Sequence, residues 1–406
     1  MRIRTTLVWC ALLCGAFHFP SASRAAEWAA YRGPSQNGIS SETAWKVPAS
    51  AAREVWKAQV GIGTSSMTVS GGRLFTMGHL EGKDVVQCVE AETGREVWRY
   101  ALAVSLDPNL FEGGPRSTPT VAGGVVYTLS HEGHLLCLKA ADGKLLWQKH
   151  LVKDFGGKKP EWGYSGSPTV SGDAVYVDCG GEGASTLALN RHTGEVIWKS
   201  GSHGAGYATP LIVGAGAQRS LVLFKADALV GCDLQTGREL WRFPWKTSYD
   251  INAATPLVVG EGRFLITSGY NTGAAVVAVD SGEARQVWRA NVLRAHINSP
   301  VWVNGAVFGI DGNTGGGNLV CVDPATGQKR WEERSVKGGA LISAAGKLIV
   351  VSEKGDLVIA EANPEGFRPL HRQLVLTRRT WAQPTLSEGL LYLRDNQGQL
   401  VCLDLR

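Results

Sequence analysis

The sequence predicts an all-β protein, an eight-bladed β-propeller of four-stranded antiparallel blades whose ring is closed by the N-terminal strand. Three observations carry that expectation. Seven tryptophans, Trp56, Trp98, Trp147, Trp198, Trp241, Trp288 and Trp331, are spaced 42, 49, 51, 43, 47 and 43 residues apart, and a period of roughly 40 to 50 residues marks a propeller or solenoid. Glycine supplies 51 of 406 residues without a triplet period, which excludes collagen and points to many tight turns. Short runs of apolar alternation are bounded by Gly, Pro, Asn and Asp, the pattern of strands joined in hairpins.

Each unit ends in a hairpin whose last strand carries a tryptophan. Cys88-Val89-Glu90-Ala91-Glu92-Thr93-Gly94 precedes Trp98, and Cys321-Val322-Asp323-Pro324-Ala325-Thr326-Gly327 precedes Trp331. Gly stands four residues before Trp at Gly94, Gly143, Gly194, Gly237 and Gly327, and six before it at Gly282. The Asp or Asn opens the turn by hydrogen-bonding backbone amides, and Gly supplies its positive φ. Upstream, Thr118-Pro119, Ser167-Pro168, Thr209-Pro210, Thr255-Pro256 and Ser299-Pro300 each open an inner strand, followed by a second strand such as Val125–Leu129. Eight such second strands can be counted, so eight outer strands are needed. The seventh unit has Leu370 in the tryptophan place, and the eighth stops at Cys402–Arg406 where its outer strand should begin. Arg53-Glu54-Val55-Trp56-Lys57 is the missing strand, and its addition removes the free sheet edges of an open array.

The first residues form a separate unit. Met1–Arg4 is cationic, Leu7–Phe19 apolar, and Ser21–Ala25 small, the layout of a secretory signal cleaved after Ala25. A lipid anchor is not expected, because Leu13 precedes Cys14 where a small residue is needed. The expected organisation is a signal peptide over 1–25, an N-terminal segment with the closing strand over 26–57, and the propeller over 58–406. Loss of Arg2, Arg4 and Arg24 leaves 38 bases against 36 acids, net +2, which withdraws support for a nucleic-acid partner. No later apolar run approaches the roughly 18 residues of a membrane helix.

Six cysteines remain beyond residue 25. Cys88, Cys137, Cys321 and Cys402 share one place in the third strand, where other blades put Ala188 and Ala278, and Cys232 is one position away. Equivalent places in different blades are too far apart for a disulfide, so these read as small buried apolar residues. No Cys-x-x-Cys-His haem motif or Cys-x-x-Cys knuckle is present.

Chemistry is expected where the loops entering the inner strands open near the axis, because loops on a rigid scaffold carry function. Those loops bring Arg116, Trp162, Tyr164, His203, Tyr207, Asn252, His296, Asn298 and Trp381. Arg116, His203 and His296, with Trp162 or Trp381, suit an anionic aromatic ligand. The two tryptophans equally suit a structural plug of the axis. Asp250, Asn252 and Asn298 offer the oxygen ligands that Ca²⁺ takes, yet Asp and Asn are also ordinary turn residues. Asp250 is the candidate general base.

The Thr-Gly-x-x-x-Trp turn, with its acidic or polar residue four or so places before the Gly, resembles the tryptophan-docking repeat of the pyrroloquinoline quinone (PQQ)-like propellers. Trp28-Ala29-Ala30-Tyr31-Arg32-Gly33-Pro34-Ser35-Gln36-Asn37-Gly38-Ile39 resembles the start of the secreted, planctomycete-type members. The resemblance spans the whole chain beyond the signal. It implies one of two functions: a binding scaffold like the propeller subunit of the outer-membrane assembly machinery, or a PQQ- and Ca²⁺-dependent quinoprotein alcohol dehydrogenase. Such dehydrogenases stack their cofactor on a disulfide between adjacent cysteines, and no two cysteines here are adjacent. The scaffold reading therefore leads, with a protein or small molecule bound at the loop face of a periplasmic or secreted monomer.

Overall fold

A row of three paired side chains crosses the outer strands of five blades: an aromatic ring, a small residue and a tryptophan. The rows are Phe75, Cys88 and Trp98; Tyr127, Cys137 and Trp147; Tyr176, Ala188 and Trp198; Phe308, Cys321 and Trp331; and Tyr392, Cys402 and Trp56. Ring centroids in these rows lie about 6 Å apart, 5.9 Å for Trp56 and Tyr392, so the strand between them must carry something small. That accounts for Cys88, Cys137, Cys321 and Cys402. All six described cysteines are unpaired and buried, and burial pushes the Cys88 thiol up to about 12. Gly231 and Val276 take the central place in two further blades. Ala278, expected there, lies two residues along, against Arg263 and Arg285.

The computed structural model describes residues 27–108, 111–216 and 219–406. The expected secretory signal lies outside them. Among the described residues the strands form eight sheets around an axis. Blades 1 to 7 span 68–102, 120–150, 169–200, 211–244, 257–290, 301–337 and 340–374. Blade 8 spans 385–404 and takes Arg53–Gln59 as its outer strand, paired antiparallel with the chain's last strand from Arg53 opposite Asp404 to Gln59 opposite Gln399. No described helix is long and apolar enough to cross a membrane.

Neighbouring blades are joined by the repeat residues themselves. The Trp98 indole donates to the carbonyl of Ala140 in the next blade (2.9 Å), Trp147 to Arg191 (3.0 Å), Trp288 to Pro324 (2.9 Å) and Trp56 to Ala91 (2.9 Å). Each ring lies on the turn glycine of that next blade. A Cβ on Gly143 would sit 2.6 Å from the Trp98 ring, and its φ of +73° is itself left-handed, so both space and backbone demand glycine. The glycine and tryptophan of one unit thus serve two different seams. Gly282, in the longer turn, carries no ring, and Trp241 packs instead on Phe264 of the next blade at 5.6 Å. Blade 7 lacks a docking tryptophan, and the buried Trp45 joins the core between blades 7 and 8 with Ile342, Leu391 and Leu403.

Nearer the axis the residues before the inner-strand prolines, with Ser66 in the corresponding place of blade 1, form a girdle. The amide of Ser66 donates to the Thr118 hydroxyl, Thr118 to Ser167, and Ser167 to Thr209; Thr255 to Ser299 and Gln383 to Ser66 repeat the contact elsewhere in the ring.

The axis is not open. Residues 28–42 thread it: Trp28 exchanges backbone bonds with Val69 of blade 1, and Ala29 accepts from Val121 of blade 2. Gln36 donates to Thr169 and Pro210 of blades 3 and 4, and Ile39–Ser40 pairs in parallel with the inner strand of blade 7. Glu42 takes two amides at the Glu388–Gly389 turn of blade 8. The fully buried Arg32 guanidinium donates to Gln36 and Asn37 within the thread and to Pro300 at blade 6. The N-terminal segment therefore supplies both a closing strand and an axial plug.

Candidate functional site

Above this plug the loops that enter the inner strands enclose a cavity of about 210 Å³, open on the loop face. Tyr31, carried by the thread, lines it together with the girdle residues Ser66, Thr118, Ser167 and Thr209. Phe111, Trp162, Tyr207, Tyr270 and Trp381 line it as well, drawn from five blades or their connections.

Several polar groups of this aromatic cup are engaged with one another, whereas the buried Trp162 indole nitrogen and Gln383 Oε1 have no hydrogen-bond partner. The Trp381 indole donates to Glu353 (2.8 Å), and its ring meets Phe111 edge-on at 4.8 Å. The Arg379 guanidinium lies 5.3 Å from both ring centres and is held by Glu112 at 3.1 Å, a cation–π clamp that fixes the two aromatics. Arg116 donates to the Trp162 carbonyl, and burial lowers its affinity for its proton. The Trp162 amide donates to the Tyr207 hydroxyl (3.4 Å), which burial pushes up to about 12. Asn298 donates to the Gly339 carbonyl.

His296 packs edge-on against Tyr270 at 4.9 Å, and its Nδ1 accepts the Thr314 amide at 3.3 Å. It is 7% exposed, and desolvation lowers it from 6.5 to about 4, so the ring is neutral at physiological pH. The folded state thus refuses a proton that the unfolded chain accepts as pH falls through 6.5. Stability should be complete above that value and decline toward pH 4, by an amount on the order of 3 kcal/mol from this group. Urea unfolding midpoints of wild type and His296→Gln should converge over that interval; parallel losses in both proteins would exclude His296 as the source.

The structure gathers Arg116, Trp162, Tyr207, His296, Asn298 and Trp381 at one cavity. It puts the remaining candidates elsewhere. Tyr164 is buried in the core of blades 2 and 3, donating to the Cys179 carbonyl at 2.9 Å. Asn252 is fully buried, its Nδ2 near the carbonyls of Lys225, Ala226 and Trp245, and its Oδ1 accepting from Ser268. No lone pair is offered to a metal in the cavity. His203 stands between Asp227 (2.9 Å) and Glu239 (3.2 Å), outside the lining. Asp250 is exposed at the end of the 3-10 turn Ser248–Asp250, also outside it. Lining residues that were not singled out from the sequence include Tyr31, Phe111 and Glu112. Phe111 and Glu112 lie shortly before Arg116 in the same loop, and Tyr31 reaches the cavity only through the thread.

PQQ and Ca²⁺ do not fit this lining. Among the described residues its one carboxylate is Glu112, committed to Arg379 and Asn396, and the described cysteines are unpaired, Cys179 being bonded to the Leu151 carbonyl.

A family model described as outer membrane protein assembly factor BamB matches residues 42–108, 83–333 and 315–406. The Burkholderia pseudomallei BamB is 24% identical over 335 residues, covering 80% of this chain and 79% of that protein. The Yersinia pestis BamB is 25% identical over 246 residues, 55% of this chain, which spans 58% of that relative's length. Among solved structures, a quinohemoprotein alcohol dehydrogenase from Pseudomonas putida HK5 superposes with a TM-score of 0.70 at 14% identity, over 94% of this chain and 80% of that one. At that identity the likeness concerns the fold alone.

Proposed function

The chain belongs to the BamB family of PQQ-like β-propellers, and we propose that it is an exported scaffold that binds a partner protein through its loop face, with the aromatic cup as the anchor. The observation that carries this reading is a cup lined by aromatic side chains, two of them clamped by Arg379, in which the buried Trp162 indole nitrogen has no hydrogen-bond partner. Such a surface has contact area to offer, and its carboxylate, Glu112, is already held by Arg379. Its volume of about 210 Å³ falls below the roughly 300 to 1,000 Å³ of sites that engulf drug-sized ligands. That size suits one or two bulky side chains of an extended segment, and buried aromatic anchors are where binding energy concentrates. The family's name, an assembly factor for outer membrane proteins, supports a periplasmic setting and a partner rich in alternating aromatic strands.

The test uses fluorescent 12-residue peptides with alternating aromatic and polar residues, read by anisotropy. Wild type should bind, and Trp381→Ala should weaken binding by about tenfold or more, the cost of losing a central anchor. PQQ with Ca²⁺ should leave quinone absorbance unchanged. Binding that ignores Trp381→Ala would reject the cup as the anchor, and PQQ uptake with alcohol-dependent dye reduction would reject the scaffold.

A further inference from the structure

A second group of polar side chains lies beside the cup, where the loops of blades 1 and 2 meet. His131 and Glu132 sit in the turn between Val125–Leu129 and His134–Lys139 of blade 2, and Asp107 lies in the connection from blade 1 with a φ of +48°. One ligand atom from each of these three lies within 4.8 Å of the other two. Asp84, at the head of Lys83–Glu90 in blade 1, stands behind them.

Hydrogen bonding within the cluster is incomplete in one place. His131 is 0% exposed, and no protein group completes a hydrogen bond with either ring nitrogen. A buried polar group left unpaired in this way is destabilising unless something else satisfies it. Asp84 gives Oδ1 to His79 Nδ1 at 2.9 Å, while Oδ2, 3.5 Å from His131 Nδ1, has no hydrogen-bond partner either. On the other side of the ring, His131 Nε2 is 3.7 Å from Glu132 Oε1. A carboxylate behind one imidazole nitrogen and two carboxylates before the other is the arrangement in which a histidine ligates a metal ion.

We propose that His131 Nε2, Asp107 and Glu132 bind a divalent transition-metal ion of the zinc class, with Asp84 orienting the ring through Nδ1. Tetrahedral zinc with bonds of about 2.0–2.2 Å spaces its ligands roughly 3.3–3.6 Å apart, so the 3.7 Å pair nearly has that spacing, and the other two sides, within 4.8 Å, would contract by up to about 1.5 Å as the ion binds. An imidazole with two carboxylates favours zinc over Ca²⁺, which takes about six to eight oxygens. Three protein ligands leave a fourth position for water. Asp84 and Asp107 lie near the Arg116 guanidinium, and Glu132 meets Lys159. Lys159 contacts Glu132 at 2.6 Å with its side chain 34% exposed, so this ammonium holds the metal's place and can swing into solvent when the ion enters. The ion would stiffen the cup, because Gly163 packs against His131 while Arg116 bonds the Trp162 carbonyl.

The full chain, free of affinity tags and stripped with chelator, should be titrated with Zn²⁺ by calorimetry. One equivalent should bind, and Tm should rise. His131→Gln, Asp107→Asn and Glu132→Gln should each weaken binding by at least about tenfold, while Lys159→Met should tighten it by removing the competitor. The nearby His134 and His150, whose rings are 4.4 Å apart, are the alternative locus, and their double replacement by Gln should change neither stoichiometry nor affinity. The proposal falls if wild type takes up no Zn²⁺, if the equivalent survives His131→Gln, or if it disappears with His134 and His150. Should His131→Gln fail to fold by circular dichroism, the partly exposed Glu132→Gln decides by the same criterion.

Discussion

Deletion of residues 27–59 should abolish the cooperative thermal transition, leaving a chain that binds hydrophobic dyes and is cut readily by protease. The segment removes Trp56, whose indole docks on Ala91 and whose ring fills the seam between blades 8 and 1. Removing a core tryptophan alone costs about 3–5 kcal/mol. It also removes the outer strand of blade 8, the buried Arg32 and the Glu42 contacts to the blade 8 turn. Against a total stability of about 5–15 kcal/mol, the sum exceeds what the ring can lose. Deleting 27–42 alone keeps the closing strand, and should give a folded but less stable protein whose cup has lost Tyr31. An unchanged melting curve for the longer deletion would refute closure by this strand.

Arg394→Ala should lower stability by about 3–5 kcal/mol, measured by urea unfolding, although the residue lies on no surface. Its guanidinium is fully buried in blade 8 and donates to the Ser65 carbonyl (2.9 Å), the Thr76 hydroxyl (2.8 Å), the Met77 carbonyl and the Gly61 carbonyl (2.9 Å). These acceptors belong to blade 1 and the loop entering it, so one side chain fastens the last blade to the first. Truncation leaves several buried acceptors unpaired, each with its own desolvation cost. Arg394→Lys should recover little, because an ammonium is a point donor and cannot span acceptors arranged around a planar fork. A loss below about 1 kcal/mol would mean that water replaces the guanidinium.

The ring was legible in the sequence because tryptophan docking is periodic, and a period survives errors at single positions. The missing tryptophan of the seventh unit and the unfinished eighth unit did not obscure it. The cup was less legible because neighbours in an extended loop point to opposite sides. Ile251 and Ala253 line the cavity while Asn252 between them turns inward to Ser268. Trp162 faces the cavity and Tyr164, two residues on, the core, because the left-handed Gly163 between them (φ +75°) interrupts the alternation. Sequence gives the loop but not the phase of its alternation. The axial thread was harder still. Residues 28–42 are rich in Gly, Pro, Asn and Gln with no helical or strand period, since each makes a different contact with a different blade.

That thread bears on how the protein reaches its native state. Its partners lie on blades 1, 2, 3, 4, 6, 7 and 8, and its bond from Glu42 to Glu388 joins positions 346 apart. Closing a loop of that length costs about 5 kcal/mol of chain entropy before any contact offsets it. The residues made first are thus the last that can settle, since the hub has nothing to grip until the rim exists. Assembly must be slow and late, governed by the arrival of blade 8, and a ribosome-bound chain lacks the partners that hold its beginning in place.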